Sequence, residues 1–488
     1  MGGASLCRRV VRRADRTSGR GTSNRDRKKR FLCAGVGRPI MGLFDRLGNN
    51  DDGPRVAFFG IDGVPYSLIE DNPETFPNLY EMGTEGSAGA IDSIVPPESS
   101  ACWPSLTTGK NPGETGVYGF QDRENGSYDT YVPMGRDVQA TRLWNRVQEA
   151  NRDATVMNVP VTFPPQRDVQ RMVSGFLSPG VDEAAYPDDF REYLSDIDYR
   201  IDVNARLGHE EDKSEFIEDA HATVDGRYEA FSHYVERDDW DLLFGVFMTT
   251  DRVNHFLFED YERDGEYKTE FLEFYEKVDD YLGQLREQLA DDVTMVVASD
   301  HGFTTLDHEV HCNAWLEEEG WLSYAEDDHE ELGDIAEESE AYSLIPGRFY
   351  LNLENREPRG SVPEDDYEDK RAELKAALEN FEGPDGEPVC ERVVEKEDAF
   401  GGAHDDIAPD LVAIPSHGFD LKSGFKSHEE VFGTGPRNGM HSFDNATLLI
   451  DDGARVRDDV DLFDIAPTVL DLMDIEYERG EFDGQSLA

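Results

Sequence analysis

The chain is expected to fold as an α/β protein with a mostly parallel central sheet covered by helices on both faces, in three layers. Three observations predict this. Short apolar runs rich in β-branched and aromatic residues recur along its 488 residues, each about the length of a buried strand. Helical patterns separate several of them, as a β–α–β order requires. Three of the runs stop at an aspartate, and in open α/β sheets the carboxyl ends of strands are where ligands sit.

Strands are expected at 55–61, 154–159 and 170–175, with a helix from Thr141 to Ala150. Residues 181–238 are acidic, aromatic and helix-rich, and read as an insertion over one face. The run from Leu242 to Met248 resumes the sheet. Between Glu266 and Leu289, Phe271, Phe274, Val278, Leu282, Leu285 and Leu289 fall three or four apart, the spacing of one helical face. That helix feeds a strand at 293–298. Residues 320–435 break the pattern with charged loops, a strand-like run from Arg348 to Leu353 and a helix at about 366–380, and read as a second insertion or cap. The core returns with Ala446 to Ile450 and a last helix over roughly 462–473. The expected organisation is therefore one catalytic domain over 54–488, after a basic segment and linker over 1–53.

Charge sharpens that boundary. Acidic residues outnumber basic ones 105 to 47, a formal charge of −58. Residues 1–40 carry twelve Arg or Lys against Asp15 and Asp26, so from Met41 onward 35 basic residues face 103 acidic ones, a charge of −68. Such self-repulsion is severe at low salt and is screened when the Debye length shrinks to about 3 Å at molar salt. The chain therefore reads as halophilic, from a salt-filled cytoplasm. Regular apolar runs argue against disorder as the reason for the charge. No basic patch outside the first 40 residues suits nucleic acid, and no apolar stretch suits a signal peptide or a membrane span. The composition changes abruptly at Met41-Gly42-Leu43-Phe44, so the basic segment reads as a disordered or untranslated extension. Cys7, Cys33, Cys102, Cys312 and Cys390 form no CxxC pair, which supports neither a thiolate zinc site nor a disulfide framework.

The chemistry sits at the strand ends. Val56 to Ile61 leads into Asp62-Gly63, a turn that also allows close approach to a ligand. Leu242 to Met248 leads to Asp251, with His255 four residues on. That spacing shares one helix face and can grip an ion, or simply caps a helix beside a surface histidine. Val293 to Ala298 leads to Asp300-His301, and a charged pair buried there needs compensation. His441 lies in a glycine-flanked loop before the last strand. Together these residues suit Zn²⁺ or Mn²⁺ better than calcium or an iron–sulfur centre, with donors enough for two ions. A nucleophile is available in Glu98-Ser99-Ser100-Ala101-Cys102-Trp103-Pro104-Ser105.

In this order, a strand ending in Asp-Gly, a hydroxyl residue ten before Gly109, Asp251-x-x-x-His255, Asp300-His301-Gly302 and a late histidine resemble the alkaline phosphatase superfamily. The nucleotide pyrophosphatase/phosphodiesterase branch is the nearest match. Lys110 to Gly116, Asn352, Arg356-Glu357-Pro358 and Asp464 to Leu470 add to the likeness, which runs over about 54–487. The resemblance implies an alkaline phosphatase-like fold and hydrolysis of a small-molecule phosphate ester. It places Asp251, His255 and His441 on one metal and Asp62, Asp300 and His301 on the other, with Ser99 as a nucleophile bridging toward both. Ser100 is adjacent and stays open as the alternative. Most members of the branch carry threonine there, so serine is a mild departure. Cys102-Trp103-Pro104-Ser105 imitates the sulfatase signature, but the cysteine is seven rather than ten before Gly109 and Leu106 replaces its arginine. Cys102 reads as a core thiol. Competing functions are a phosphomonoesterase or phosphoglycerate mutase-like phosphomutase, a sulfate or phosphonate ester hydrolase, and a non-catalytic metal-stabilised binding protein.

Overall fold

The computed structural model describes residues 53–488 except Asp238 and Asp458. The basic segment expected as an extension, through residue 52, lies outside the described residues. A sheet of eight strands organises the rest, in the spatial order 87–91, 446–450, 293–298, 55–61, 242–247, 154–159, 171–174, 185–186. Neighbours from 293–298 across to 171–174 run parallel. The edges are antiparallel, because 446–450 opposes both 293–298 and 87–91, and 185–186 opposes 171–174.

Both faces of this sheet are buried, which explains why its strands are apolar throughout rather than alternating. Within Arg55–Ile61, Ala57, Phe59 and Ile61 join one hydrophobic cluster while Val56 and Phe58 join the other, as the two-residue strand period dictates. The first cluster is covered by helices Pro77–Glu85, Ser214–Val235, Thr249–Glu262 and Lys268–Gln288. The second is covered by Ser99–Thr108, Leu143–Glu149 and Ile465–Leu472. The three-layer α/β fold expected from sequence is present. On the long helix, Phe271, Phe274, Val278, Leu282 and Leu285 are buried on one face.

Residues 181–238 are more than a cover. Ala185–Tyr186 supplies the edge strand of the main sheet, and Phe216, Ala220, Val224 and Phe231 of the following helix enter its core. Residues 341–415 form a separate antiparallel sheet, in the order 341–344, 348–351, 411–415, 390–395. The helix Tyr367–Glu379 sends Leu374 and Leu378 into the cluster beneath it.

Two strands near the site depart from the sequence reading. Gly302–His311 is a ten-residue strand directly after His301, where none was expected. Gly439–Ser442, expected as a loop, is a strand that pairs antiparallel with it and sets His441 opposite Phe303. The first carries polar side chains at too many positions to read as a strand, and the second spans four residues, too short to show a period. Among the described residues no helix is long and apolar enough to cross a membrane.

Candidate metal centre and nucleophile

Strand order brings the aspartates together. The strands 293–298, 55–61 and 242–247 are adjacent and parallel, with Gly60 level with Ala298 and Ile61 level with Phe247. Their carboxyl ends therefore open on the same edge, and the residues that follow converge. Thr250 donates its hydroxyl to the Asp62 carbonyl at 2.7 Å, tying two of these ends together. Gly63 turns with φ +66°, and its N–H donates to Asp300 Oδ1 at 3.2 Å. A left-handed turn of this kind is easy for glycine and strained for a side chain.

Two groups of donors result. In one, His301 Nε2 lies 3.5 Å from Asp300 Oδ2 and 3.7 Å from Asp62 Oδ1. In the other, Asp251 Oδ1 lies 3.4 Å from His255 Nε2 and 3.3 Å from His441 Nε2. The groups abut, since the rings of His301 and His441 are 3.9 Å apart and His301 also stands within reach of Asp251 and His441. Each histidine has its Nδ1 at a backbone carbonyl. His301 donates to Gly302 at 3.0 Å, His255 to Gly439 at 3.0 Å and His441 to Pro97 at 3.1 Å. A carbonyl only accepts, so Nδ1 carries a proton in each ring and Nε2 is the atom turned toward the carboxylates.

That arrangement fits cations. The Nε2 atoms of His255 and His441 face each other at 3.1 Å, a contact that a positive charge between them, a proton or a metal ion, reconciles. Asp251 Oδ1 and Asp300 Oδ2 are buried without a hydrogen-bond partner, a costly state for a carboxylate. Burial, then the Asp251 carboxylate, pushes the Asp300 carboxyl up to about 7. Burial, then Asp300 and Asp251, pushes Asp62 well up as well. Burial pushes His301 down to about 3 and His255 well below its usual range, which keeps both rings neutral. Burial also opposes ionisation of Asp251, while the Arg252 guanidinium 3.3 Å away favours it. Oxygen and nitrogen donors without thiolate suit Zn²⁺ or Mn²⁺.

Ser99 opens the helix Ser99–Thr108, and its Oγ stands 3.1 Å from His301 Nε2 and 3.4 Å from Asp62 Oδ1. Ser100 is buried but its side chain makes no hydrogen bond to either group among the described residues. Cys102 is fully buried, contacts Ser93 Oγ at 3.4 Å and has its thiol pushed far up by burial, the behaviour of a core thiol. All seven residues singled out from sequence thus lie at one edge of the sheet.

Trp103 was not singled out. Its indole N–H donates to Asp62 Oδ2 at 2.6 Å, so that Oδ1 is the oxygen facing Ser99. A Cβ at Gly60 would collide with the same indole, which explains a glycine within a buried strand. A tryptophan in an apolar helix is indistinguishable from core packing in sequence; only its spacing from Ser99 carried a signal, four residues along the same helical face.

A cavity of about 230 Å³ opens onto the site. Ser99, Asp251, His255 and His441 form its floor, Phe120 and Phe176 one wall, and Ile345 and Pro346 reach it from the separate sheet.

The comparisons agree with this architecture. Phosphonoacetate hydrolase from Sinorhizobium meliloti 1021, solved with phosphonoacetate, is 16% identical, with 86% of this chain and 96% of that one covered at a TM-score of 0.57. An inactive variant of murine ectonucleotide pyrophosphatase/phosphodiesterase 5 with AMP is 14% identical, covering 87% and 96% at a TM-score of 0.51. A mutant of alkaline phosphatase PafA is 13% identical, covering 90% and 99% at a TM-score of 0.56. These similarities are of fold. No curated protein sequence matches the chain. The model of the type I phosphodiesterase / nucleotide pyrophosphatase family matches residues 56–444. The chain therefore belongs to that family, has the alkaline phosphatase-like fold of these neighbours, and is a phosphoric ester hydrolase.

Proposed function

We propose that the protein hydrolyses phosphodiesters or nucleotide pyrophosphate bonds through a covalent phosphoserine at Ser99. The observation that carries this reading is the Ser99 hydroxyl, 3.1 Å from His301 and 3.4 Å from Asp62, beside the second donor group. Two divalent ions, Zn²⁺ or Mn²⁺, held by Asp62, Asp300 and His301 and by Asp251, His255 and His441, would supply the positive charge that activates the serine and offsets charge on the departing oxygen. Ser99 Oγ gives its proton to solvent and forms the bond to phosphorus while the bond to the leaving oxygen breaks with its electron pair, and that oxygen takes its proton from solvent. Water then breaks the Oγ–phosphorus bond, and the serine regains its proton. Trp103 holds Asp62 by Oδ2 throughout, and the three backbone carbonyls keep the imidazoles oriented.

The Ser99→Ala variant is expected to lose about 10³-fold or more in kcat on bis(p-nitrophenyl) phosphate, while binding close to the same amount of Zn²⁺. Near-normal turnover would transfer the role elsewhere, with Ser100→Ala the next variant to assay. A comparison with p-nitrophenyl phosphate and p-nitrophenyl sulfate sets the ester class. Monoester turnover well above diester turnover would favour a phosphomonoesterase or phosphomutase, and sulfate turnover a sulfatase-like enzyme. An elemental count near zero after metal loading would refute the metal assignment.

The charge of −58 supports work in a salt-rich cytoplasm. Molar KCl should raise Tm by roughly 10 °C or more over 0.1 M, as screening relieves self-repulsion; a Tm that stays flat across that range would contradict it.

A further inference from the structure

We infer that Arg437 binds a second anionic group on the substrate, a carboxylate or a further phosphate, beyond the phosphate that reacts at Ser99. This rests on the phosphodiesterase reading and adds what the other end of the substrate carries.

Three cations line the cavity: Arg252, Lys422 and Arg437. Two are already committed. Arg252 donates to Asp202 at 3.1 Å, pairs with Asp251 at 3.3 Å and lies 4.4 Å over the ring of Phe176. Lys422 pairs with Asp420. Arg437 is half-buried, yet among the described residues it makes no hydrogen bond, ion pair or ring contact. Arg167, Arg206, Arg455 and Arg479 also have no side-chain partner among the described residues, but they are exposed, whereas Arg437 is half-buried at the site, and its planar fork matches carboxylate and phosphate oxygens.

The backbone beside it is held in place. Asn438, the next residue, donates its backbone N–H to the His255 carbonyl at 2.9 Å and accepts from Leu306 N–H at 2.9 Å. Its side chain donates to Asp260 Oδ2 at 3.2 Å. Arg437 is thereby anchored to the helix that carries Asp251 and His255, and is four residues from His441. The acidic groups lining the cavity are Glu98, Asp251 and Asp420. Glu98 is next to Ser99, Asp251 belongs to the donor cluster, and Asp420, the partner of Lys422, is also near enough to Arg437 for their charges to interact. The wall formed by Asp420, Lys422 and Arg437 therefore carries one net positive charge, facing the same small cavity as Ser99.

The test uses two diesters with the same leaving group, p-nitrophenyl phenyl phosphate and p-nitrophenyl 4-carboxyphenyl phosphate, on metal-loaded full-length protein at one fixed KCl concentration. The wild type should show kcat/KM about 10-fold or more higher for the carboxylated ester, the size expected of a charge-assisted hydrogen bond. Arg437→Ala should bring the ratio close to one by lowering the carboxylated ester alone, and Arg437→Lys should restore part of it. No preference in the wild type, an unchanged ratio in Arg437→Ala, or an equal fall on both esters would each overturn the inference. Failure of the wild type to hydrolyse either diester would instead remove the phosphodiesterase reading, and this inference with it.

Discussion

Two regions of the molecule bury many charges, and they do so in opposite ways. Behind the separate sheet, three guanidiniums, Arg123, Arg348 and Arg356, meet three carboxylates, Asp122, Glu357 and Asp410. Every charge there has an opposite within reach. At the strand ends, Asp62, Asp251 and Asp300 crowd together with neutral imidazoles, and the arginine in contact, Arg252, is shared with Asp202. The first region is neutral and closed. The second has unbalanced negative charge, bare nitrogens and orphaned oxygens, and a fold tolerates that only where something positive binds. Burial of charge does not by itself mark a site; burial without balance does.

The contrast can be broken from either side. The largest effect is expected from Arg348→Ala, which strands Asp122 in the interior and should cost about 3–5 kcal/mol of stability with metal stoichiometry unchanged. Replacing both partners, Arg348→Met with Asp122→Leu, should recover most of that loss in a denaturant titration. A single variant as stable as the wild type would mean that the pair is not buried as described.

A smaller effect is the pH response of the metal-stripped protein. Asp300 titrates at about 7 in the fold against an ordinary value of 3.8. The folded state therefore keeps a proton that the unfolded chain has released, and stability falls as pH rises through that window. Tm of the stripped protein should drop between about pH 4 and 7, by several degrees more than in Asp300→Asn. Loading Zn²⁺ should abolish the difference. Equal slopes for the two stripped proteins would remove Asp300 from the account.

The smallest is Trp103→Phe. It deletes the N–H that holds Asp62 while keeping an aromatic ring, and metal affinity should weaken about 10–100-fold with little change in fold. A competition titration against a chelator measures it, and unaltered affinity would make Trp103 packing alone.

How much of this was legible in sequence follows from what each residue does. Asp62, Asp251 and Asp300 announce themselves because an apolar strand has to end before a charge, and β–α–β order makes the ends of parallel strands meet. The long helix is legible through its spacing. Three separate strands were enough to infer the sheet, but the order that sets 293–298 and 242–247 on either side of 55–61 was not visible, because pairing between distant segments leaves no local pattern. His441 has no local signal, being in a four-residue strand whose partner residue, Phe303, lies 138 positions earlier. Ser99 and Ser100 are equivalent as letters and differ only in where a helix begins. Trp103 and Gly60 make sense only as a pair, an indole resting where a side chain would otherwise be.

The strand Ala446–Ile450 has a consequence for how the enzyme comes into being. It lies between 293–298 and 87–91, so a late stretch of chain has to slot between two made much earlier. His441 arrives only with that stretch. During synthesis, Asp62, Ser99, Asp251, His255, Asp300 and His301 can all emerge and stay incomplete for the time needed to make about 140 further residues, at roughly 5–20 residues per second. The donor group of Asp251, His255 and His441 is therefore complete only once the last strand is home, so that completing the site marks the end of folding.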